Sequence, residues 1–258
     1  GPELIRYLAD KTPVRFHAYA DFPDYQPYMP GAKPDGGRSL DNDAFSFERL
    51  GKWASRVNPT KMAYPMRGSL MEAVSGSLDE ATLAEREQGD FRGLGQALVG
   101  ALFLAVLERE IPVEFEKRAR SLVKHDGRVI GVVAEDDRGR DFRVRARRGV
   151  VIATGGFEWN EQLVKTFIRG PLTGPVSVPE NEGDGLIMAM EAGAQLGNMQ
   201  NAWWQQSVLE FKPQHRNAKP NYLLGSDERA RPGAILVNRA GKRFVNEAAN
   251  YNAMGKAV

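Results

Sequence analysis

Arg148-Gly149-Val150-Val151-Ile152-Ala153-Thr154-Gly155-Gly156-Phe157 is the stretch whose reading decides the fold. Its first half is β-branched and apolar without interruption, and its second half ends in small residues. A parallel sheet covered on both faces calls for such a continuous apolar strand, whereas a sheet with one wet face alternates. A Thr-Gly-Gly end lets another backbone or a flat ligand come close. The expectation is therefore a buried strand of a layered α/β domain.

The sequence before this stretch reads as three strands at hairpin spacing. Pro112 to Val123 leads into Lys124-His125-Asp126-Gly127, Val129 to Ala134 leads into Asp136-Asp137-Arg138-Gly139, and Asp141 to Ala146 closes the meander. Asp-Gly between two β-branched runs is a strong hairpin signal. His125 reads as an exposed turn residue rather than a catalyst. The alternation Phe142-Arg143-Val144-Arg145-Ala146-Arg147 is that of a strand with one solvated face and does not call for nucleic acid.

After the decisive stretch, Glu158 to Arg169 reads as a helix with Leu163, Val164, Phe167 and Ile168 inward. Glu182 to Ala194 then carries a helix start at Asp184, a suitable N-cap, and a stop at Gly193, a C′ residue. Gly183-Asp184-Gly185 has two readings, a capped turn or a loop brought close to a cofactor. Asn201-Ala202-Trp203-Trp204-Gln205-Gln206 precedes a polar, proline-marked segment to Pro232, and the change of composition places a boundary near Val208. The tandem tryptophans belong either to a core or to a pocket.

Toward the N-terminus, Leu94 to Leu107 is apolar all round and reads as a fully buried helix. Phe45 to Val57 reads as helical, with Phe47, Leu50, Trp53 and Ala54 on one side, and Met62 to Ser77 is ambiguous. Pro2 to Lys11 reads as a helix with Leu4, Ile5 and Leu8 inward, followed by an extended Val14 to Tyr19. Asp21 to Asp43 is dense in proline, glycine and aromatics, either a functional loop or an Ω-loop packing on its own rings.

At the other end, Ile235-Leu236-Val237-Asn238 and Arg243-Phe244-Val245 flank a glycine turn at Gly241, and Asn246 to Asn250 lead to Tyr251 at a helix start. Tyr251 is either a half-buried helix-start residue or a catalytic group.

Composition narrows the chemistry. The 258 residues, 42% of them apolar, are enough for one large domain or two smaller ones. With 35 basic and 33 acidic residues the formal net charge is +2, so no polyelectrolyte partner is implied. The sequence has no cysteine, which excludes disulfides, thiolate metal sites and cysteine nucleophiles, and its three histidines lie far apart, so no metal site is expected. Its longest apolar run is about half of the roughly 20 residues that a membrane span needs. With no span and no signal-peptide pattern, a cytoplasmic protein is expected.

Three segments in order resemble the fumarate reductase and 3-ketosteroid dehydrogenase group of FAD-dependent flavoproteins. They are the meander running into Val151 to Phe157, the Gly183-Asp184-Gly185 helix start with its Gly193-Ala194 end, and Ile235 through Glu247. The resemblance implies an α/β fold with α+β character: a partial Rossmann-like FAD-binding domain with an inserted β-meander over residues 1–208, and the start of a cap, or catalytic, domain over residues 209–258. It implies FAD as cofactor, with contacts at Ala119, Ala153, Thr154, Gly155, Gly156, Gly183, Asp184 and Gly185.

Within the group, fumarate reductases and aspartate oxidases place an arginine where this sequence has Tyr251. A tyrosine there is similar to the ketosteroid dehydrogenase branch, as is the early Asp24-Tyr25-Gln26-Pro27 element, whose Tyr25 the resemblance assigns as support for Tyr251. A tyrosine at its reference pKa of about 10 is a poor base at neutral pH, so a second group of this kind is needed. The implied activity is desaturation of a flat apolar ketone, ketosteroid-like or another cyclic ketone, by proton abstraction and hydride transfer to flavin. The alternatives are a fumarate reductase-like enzyme acting on a dicarboxylate and an inert truncated module. The sequence departs from the group in lacking its Gly-x-Gly-x-x-Gly unit and closing segment. The expectation is a central fragment with doubtful FAD binding of its own and with self-association through the surface that truncation exposes.

Overall fold

The computed structural model describes the chain except residues 59–65, 171, 173, 176, 205–206, 211–220 and 225–231. Contacts divide it into two compact units, Gly1–Val113 and Glu114–Val258. The expected 208/209 division falls inside the second unit.

The first unit opens with α1 (Pro2–Lys11), which has proline in its first turn, as expected. Its burial is shallower than the pattern suggests: Ile5 and Leu8 are half-buried, but Leu4 is exposed. β1 (Phe16–Ala20) then pairs antiparallel with β2 (Gly36–Asn42). Between them lies the aromatic loop. β3 (Phe45–Ser46) runs into a 3₁₀ helix, Phe47–Arg56, rather than the expected α-helix. Gly51 interrupts it with φ 54° and ψ −131°, outside any helical region, so no continuous α-helical ladder can form there. The inward side is nevertheless the expected one, with Phe47 and Leu50 buried and Trp53 and Ala54 packed beside them.

α2 (Leu70–Ser75), α3 (Glu80–Gln88) and β4 (Phe91–Arg92) follow, β4 pairing with β3. α2 has a full capping box: Ser69 Oγ accepts from Glu72 N, and the Glu72 carboxylate accepts from Ser69 N at 2.8 Å. α4 (Leu94–Glu108) buries only the stripe Ala97, Gly100, Ala101 and Ala105, while Val99 is half exposed. Apolar residues on every side of a helix indicate full burial only when neighbours cover every side. Here β2, β3, β4 and the 3₁₀ helix supply the contacts, and the small residues of the stripe let them come near. The core is Val14, Phe45, Phe47, Leu50, Ala97 and Ala101.

The second unit begins with β5 (Arg118–His125), β6 (Arg128–Glu135) and β7 (Asp141–Arg145), an antiparallel meander in the order of the chain. Asp126 and Gly127 both have positive φ, as a two-residue hairpin loop of the primed type demands. The buried parallel strand expected over Val150 to Thr154 does not form: the segment belongs to no sheet, and Val151 is 92% exposed. An extended apolar segment becomes a strand only when a neighbour offers its ladder groups, and every pairing among the described residues is antiparallel and elsewhere.

α5 (Glu161–Phe167) is capped by Asn160, whose side chain accepts from Gln162 N and Leu163 N. α6 (Asp184–Glu191) ends as expected: Gly193 N donates to Met190 O and Ala194 N to Ala189 O, the paired bonds of a Schellman stop. Its start differs, because Gly183 is the N-cap and Asp184 the first helical residue. β8 (Ser207–Glu210) pairs with β9 (Asn221–Leu224), a hairpin within the segment read as polar and proline-marked, most of which lies outside the described residues.

The chain then makes the expected strand–turn–strand in minimal form, with one bridge between Val237 and Arg243. Asn238 N donates to Lys242 O, and Asn238 Oδ1 accepts from Ala240 N and Lys242 N. Gly241 closes the turn at φ 71°. Glu247, only 4% exposed, accepts from Leu236 N at 2.7 Å and from the Arg243 guanidinium, with Nη2 at 2.5 Å. α7 (Tyr251–Ala257) follows, capped by Asn250 and seated on the buried Met254. Among the described residues no helix is long and apolar enough to cross a membrane.

Replacing Phe47 by alanine should lower the unfolding free energy by about 3–5 kcal/mol, the usual cost of emptying a large aromatic site, as read from urea denaturation. The Arg243 guanidinium, helped by Leu236 N, holds the Glu247 carboxyl at about 2, below its ordinary 4.5. A depressed folded-state value stabilises the fold fully above the ordinary value and loses that contribution as pH falls toward the folded one. The melting temperature should therefore fall between about pH 5 and pH 2 with a component that the Glu247→Gln variant lacks, and parallel pH curves for the two proteins would contradict this.

Candidate functional site

Two constellations form in the second unit. The first gathers the expected cofactor residues. Gly185, at the start of α6, lies so close to the extended segment that a Cβ there would stand 2.1 Å from Thr154 Oγ1 and 2.6 Å from Ile152 Cγ2. Gly155, at φ 77°, lies equally close to Asn181, whose Oδ1 would be 2.4 Å from its Cβ. Only glycine permits both approaches. Asn181 is held in turn by Glu158, whose carboxylate accepts from its amide at 2.8 Å. Thr154, Gly155, Gly183, Asp184 and Gly185 are thus brought together, with Ala153 and Gly156 on the same segment.

Ala119 is in β5, paired with Ala134, and β5 packs against α6. The residue before it, Arg118, makes the main link: Nε donates to Asp184 Oδ2 at 2.6 Å and Nη2 to Oδ1 at 2.9 Å. This bidentate pairing holds the Asp184 carboxyl below the usual carboxylate range. Asp184 is consequently not the capping side chain that its position suggests; its two oxygens face a guanidinium. At the other end of the same helix Lys124 Nζ donates to Ala192 O at 2.8 Å, a cation at the negative end of the helix dipole. Arg118 and Asn181 were not singled out in the sequence. Their roles depend on partners 66 and 23 residues away, a separation at which no local pattern signals contact.

The second constellation surrounds Tyr251. Its ring stacks on Trp203, with centroids 6.2 Å apart and planes at 16°, an offset arrangement within the favoured range for aromatic pairs. Trp204 N donates to Asn252 Oδ1 at 2.9 Å, so two adjacent residues of one segment hold two adjacent residues of the other. The tandem tryptophans are not deeply buried: Trp203 is 73% exposed.

Tyr25 is in the first unit, within the loop between β1 and β2, and Tyr251 is in the second. The loop has a built base: the Asp24 carboxylate accepts from Lys33 N at 2.7 Å and from Arg38 Nε at 3.0 Å, and Arg38 also donates to Gly31 O. Tyr28 and Met29 project from it into solvent. Among the described residues no group of histidines and carboxylates has the arrangement to hold a metal ion. His125 is exposed as expected, but it is the last residue of β5, paired with Arg128 beside the turn.

The first constellation suits a flavin dinucleotide. The Ala153–Gly156 segment is exposed or half-buried, carries small side chains and is set beside a helix start, a surface that a partly planar ligand can approach closely.

The family model described as FAD binding domain matches residues 2–258. The chain is 34% identical over 271 residues to the 4-oxocyclohexanecarboxylate 2-dehydrogenase of Sinomonas cyclohexanicum, covering 100% of this chain and 45% of that protein. It is 32% identical over 276 residues to the 3-oxosteroid 1-dehydrogenase of Mycobacterium tuberculosis, covering 97% and 47%. The crystal structure of 3-ketosteroid delta1-dehydrogenase from Sterolibacterium denitrificans in complex with 1,4-androstadiene-3,17-dione matches with a TM-score of 0.84 at 28% identity, over 99% of this chain and 49% of that one. The chain spans about half the length of the curated relatives it matches. Matched by the family model from residue 2 to residue 258, and similar throughout to dehydrogenases of cyclic ketones, this chain belongs to the FAD binding domain family.

Proposed function

We propose that the chain supplies part of the cofactor site and the proton-accepting tyrosine of an FAD-dependent dehydrogenase that desaturates a ketosteroid-like or other cyclic ketone. The observation that carries this reading is Tyr251 itself, an aromatic acid–base group at the first position of a capped helix, stacked against an indole. FAD, when bound, supplies the hydride acceptor. Ala119, Ala153 to Gly156 and Gly183 to Gly185 would hold it, with Arg118 keeping α6 in place. Tyr251 would take the proton next to the substrate carbonyl, with Tyr25 assigned as its supporting group by the resemblance. In this reading residues 1–208 serve the cofactor and residues 209–258 begin the catalytic domain.

A dicarboxylate substrate needs cations to hold two negative charges. Arg243, one of the cations of the Tyr251 hairpin, has its guanidinium on Glu247, and Tyr251 stands where a fumarate reductase-like enzyme has arginine. A flat apolar ketone fits an aromatic surface better. The same reading takes the enzyme to be cytoplasmic, which cell fractionation tests. It also takes this chain alone to self-associate through apolar surface such as Val151, which light scattering tests.

In the flavin-loaded enzyme containing this chain, Tyr251→Phe should lower kcat on the order of 10²–10⁴-fold, the usual share of a positioned proton transfer, while bound flavin absorbance is unchanged. Full turnover by that variant rejects the assignment. Arg118→Ala frees Asp184 and loosens α6, so that variant should purify with less flavin per protein than the parent, and equal flavin content would remove Arg118 from the site.

A further inference from the structure

We infer that Trp203 is the positioning residue for Tyr251, with Asn252 as the anchor that keeps it in place; this rests on the reading of Tyr251 as the base. The first residue of a helix has a solvated N-terminal side, and a tyrosine there retains rotamer freedom unless something packs on its ring. Here an indole face packs on it, nearly parallel at 16° with centroids 6.2 Å apart. The neighbouring backbone is tied to the same helix: Trp204 N donates to Asn252 Oδ1 at 2.9 Å across 48 residues of sequence. Asn250 caps the same turn through Ala253 N at 2.9 Å. Helix start, ring and indole are therefore linked as one assembly.

Trp203 is 73% exposed, so its ring removes little apolar area from water, and deleting it costs the fold little of the burial on which stability depends. A base displaced by about 1 Å from its working position, by contrast, loses on the order of 10²-fold in rate. Trp203 thus affects the direction of the phenol far more than the stability of the fold. The stacking also withdraws one face of the ring from water.

The test uses the flavin-loaded enzyme and four variants: Trp203→Ala, Trp203→Phe, Asn252→Ala and Tyr251→Phe. Trp203→Ala should lower kcat on the order of 10- to 10²-fold with KM and melting temperature close to the parent's. Trp203→Phe, which restores a stacking ring, should recover most of the rate. Asn252→Ala should reproduce the kcat defect in weaker form with both rings intact. If Trp203→Ala turns over at the parental rate while Tyr251→Phe is inactive, the positioning role is wrong and the base assignment stands. If Tyr251→Phe is fully active, the base assignment fails, whatever the tryptophan variants do. A rate loss that follows a fall in melting temperature, or that Trp203→Phe does not repair, marks Trp203 as an ordinary structural residue and overturns the inference. Should Trp203→Ala not fold, unaltered kcat in Asn252→Ala and Trp203→Phe together overturns it as well.

Discussion

A carboxylate that is 4% exposed needs its charge answered from the protein, and Glu247 meets that demand in a way that shapes everything after residue 235. One of its oxygens accepts from Leu236 N and from Arg243 Nε, and the other accepts from both Nε and Nη2 of Arg243. The backbone bond fixes where the hairpin begins, and the guanidinium fixes its returning limb. Because the hairpin has only one ladder bridge, it could not hold itself together by backbone pairing alone. The ion pair, its carboxylate buried and its guanidinium partly exposed, takes the place of the missing ladder. From Glu247 the path to the helix is short: Asn246 O accepts from Ala249 N, Asn250 caps, and Tyr251 opens α7.

The cofactor constellation solves a different problem. An exposed segment without a ladder, residues 150–154, has to be held to a helix that it does not pair with. Close approach replaces hydrogen bonding there: Gly185 lets Thr154 and Ile152 reach the backbone of α6, and Gly155 does the same for Asn181. The ion pair between Arg118 and Asp184 then ties α6 to the meander, which has the unit's most extensive pairing. The order of dependence runs from meander to helix to segment. That order explains why the aspartate of the glycine-flanked motif faces a guanidinium: its carboxylate secures the helix that the segment rests on.

Local signals were legible in the sequence where the physics is local. Proline at the start of α1, the Asp126-Gly127 hairpin and the Schellman end at Gly193 and Ala194 all rest on backbone preferences within a few residues, and they stand where the sequence places them. Position 184 was misread for the complementary reason. An aspartate before a helix is indistinguishable from an N-cap until its partner is known, and Arg118 is 66 residues away. The apolar run at 150–152 and the all-round apolarity of α4 were overread alike, because hydrophobicity states what a segment can bury and not whether a neighbour is there to cover it. Val151 and Val99 show the difference by their exposure. The family kinship was legible because it depends on ordered motifs rather than on burial, and among the glycines of those motifs Gly155, Gly156, Gly183 and Gly185 are ones whose Cβ would collide.

An acid–base tyrosine sets opposed requirements. Its hydroxyl has to meet substrate, which excludes burying the ring in a core, yet its direction has to be held as firmly as that of a core side chain. A helix start supplies the exposure, because side chains of the first turn stand at the edge of the element. An exposed aromatic partner then supplies direction without enclosure, since offset stacking constrains a ring through one face and leaves its edge accessible. The pairing of Trp203 and Trp204 with Tyr251 and Asn252, through a stack and a hydrogen bond, suits both requirements of the proposed base. Such an arrangement adds little to stability, which is why nothing in the hydrophobic pattern of the sequence distinguishes Trp203 from a residue of the core.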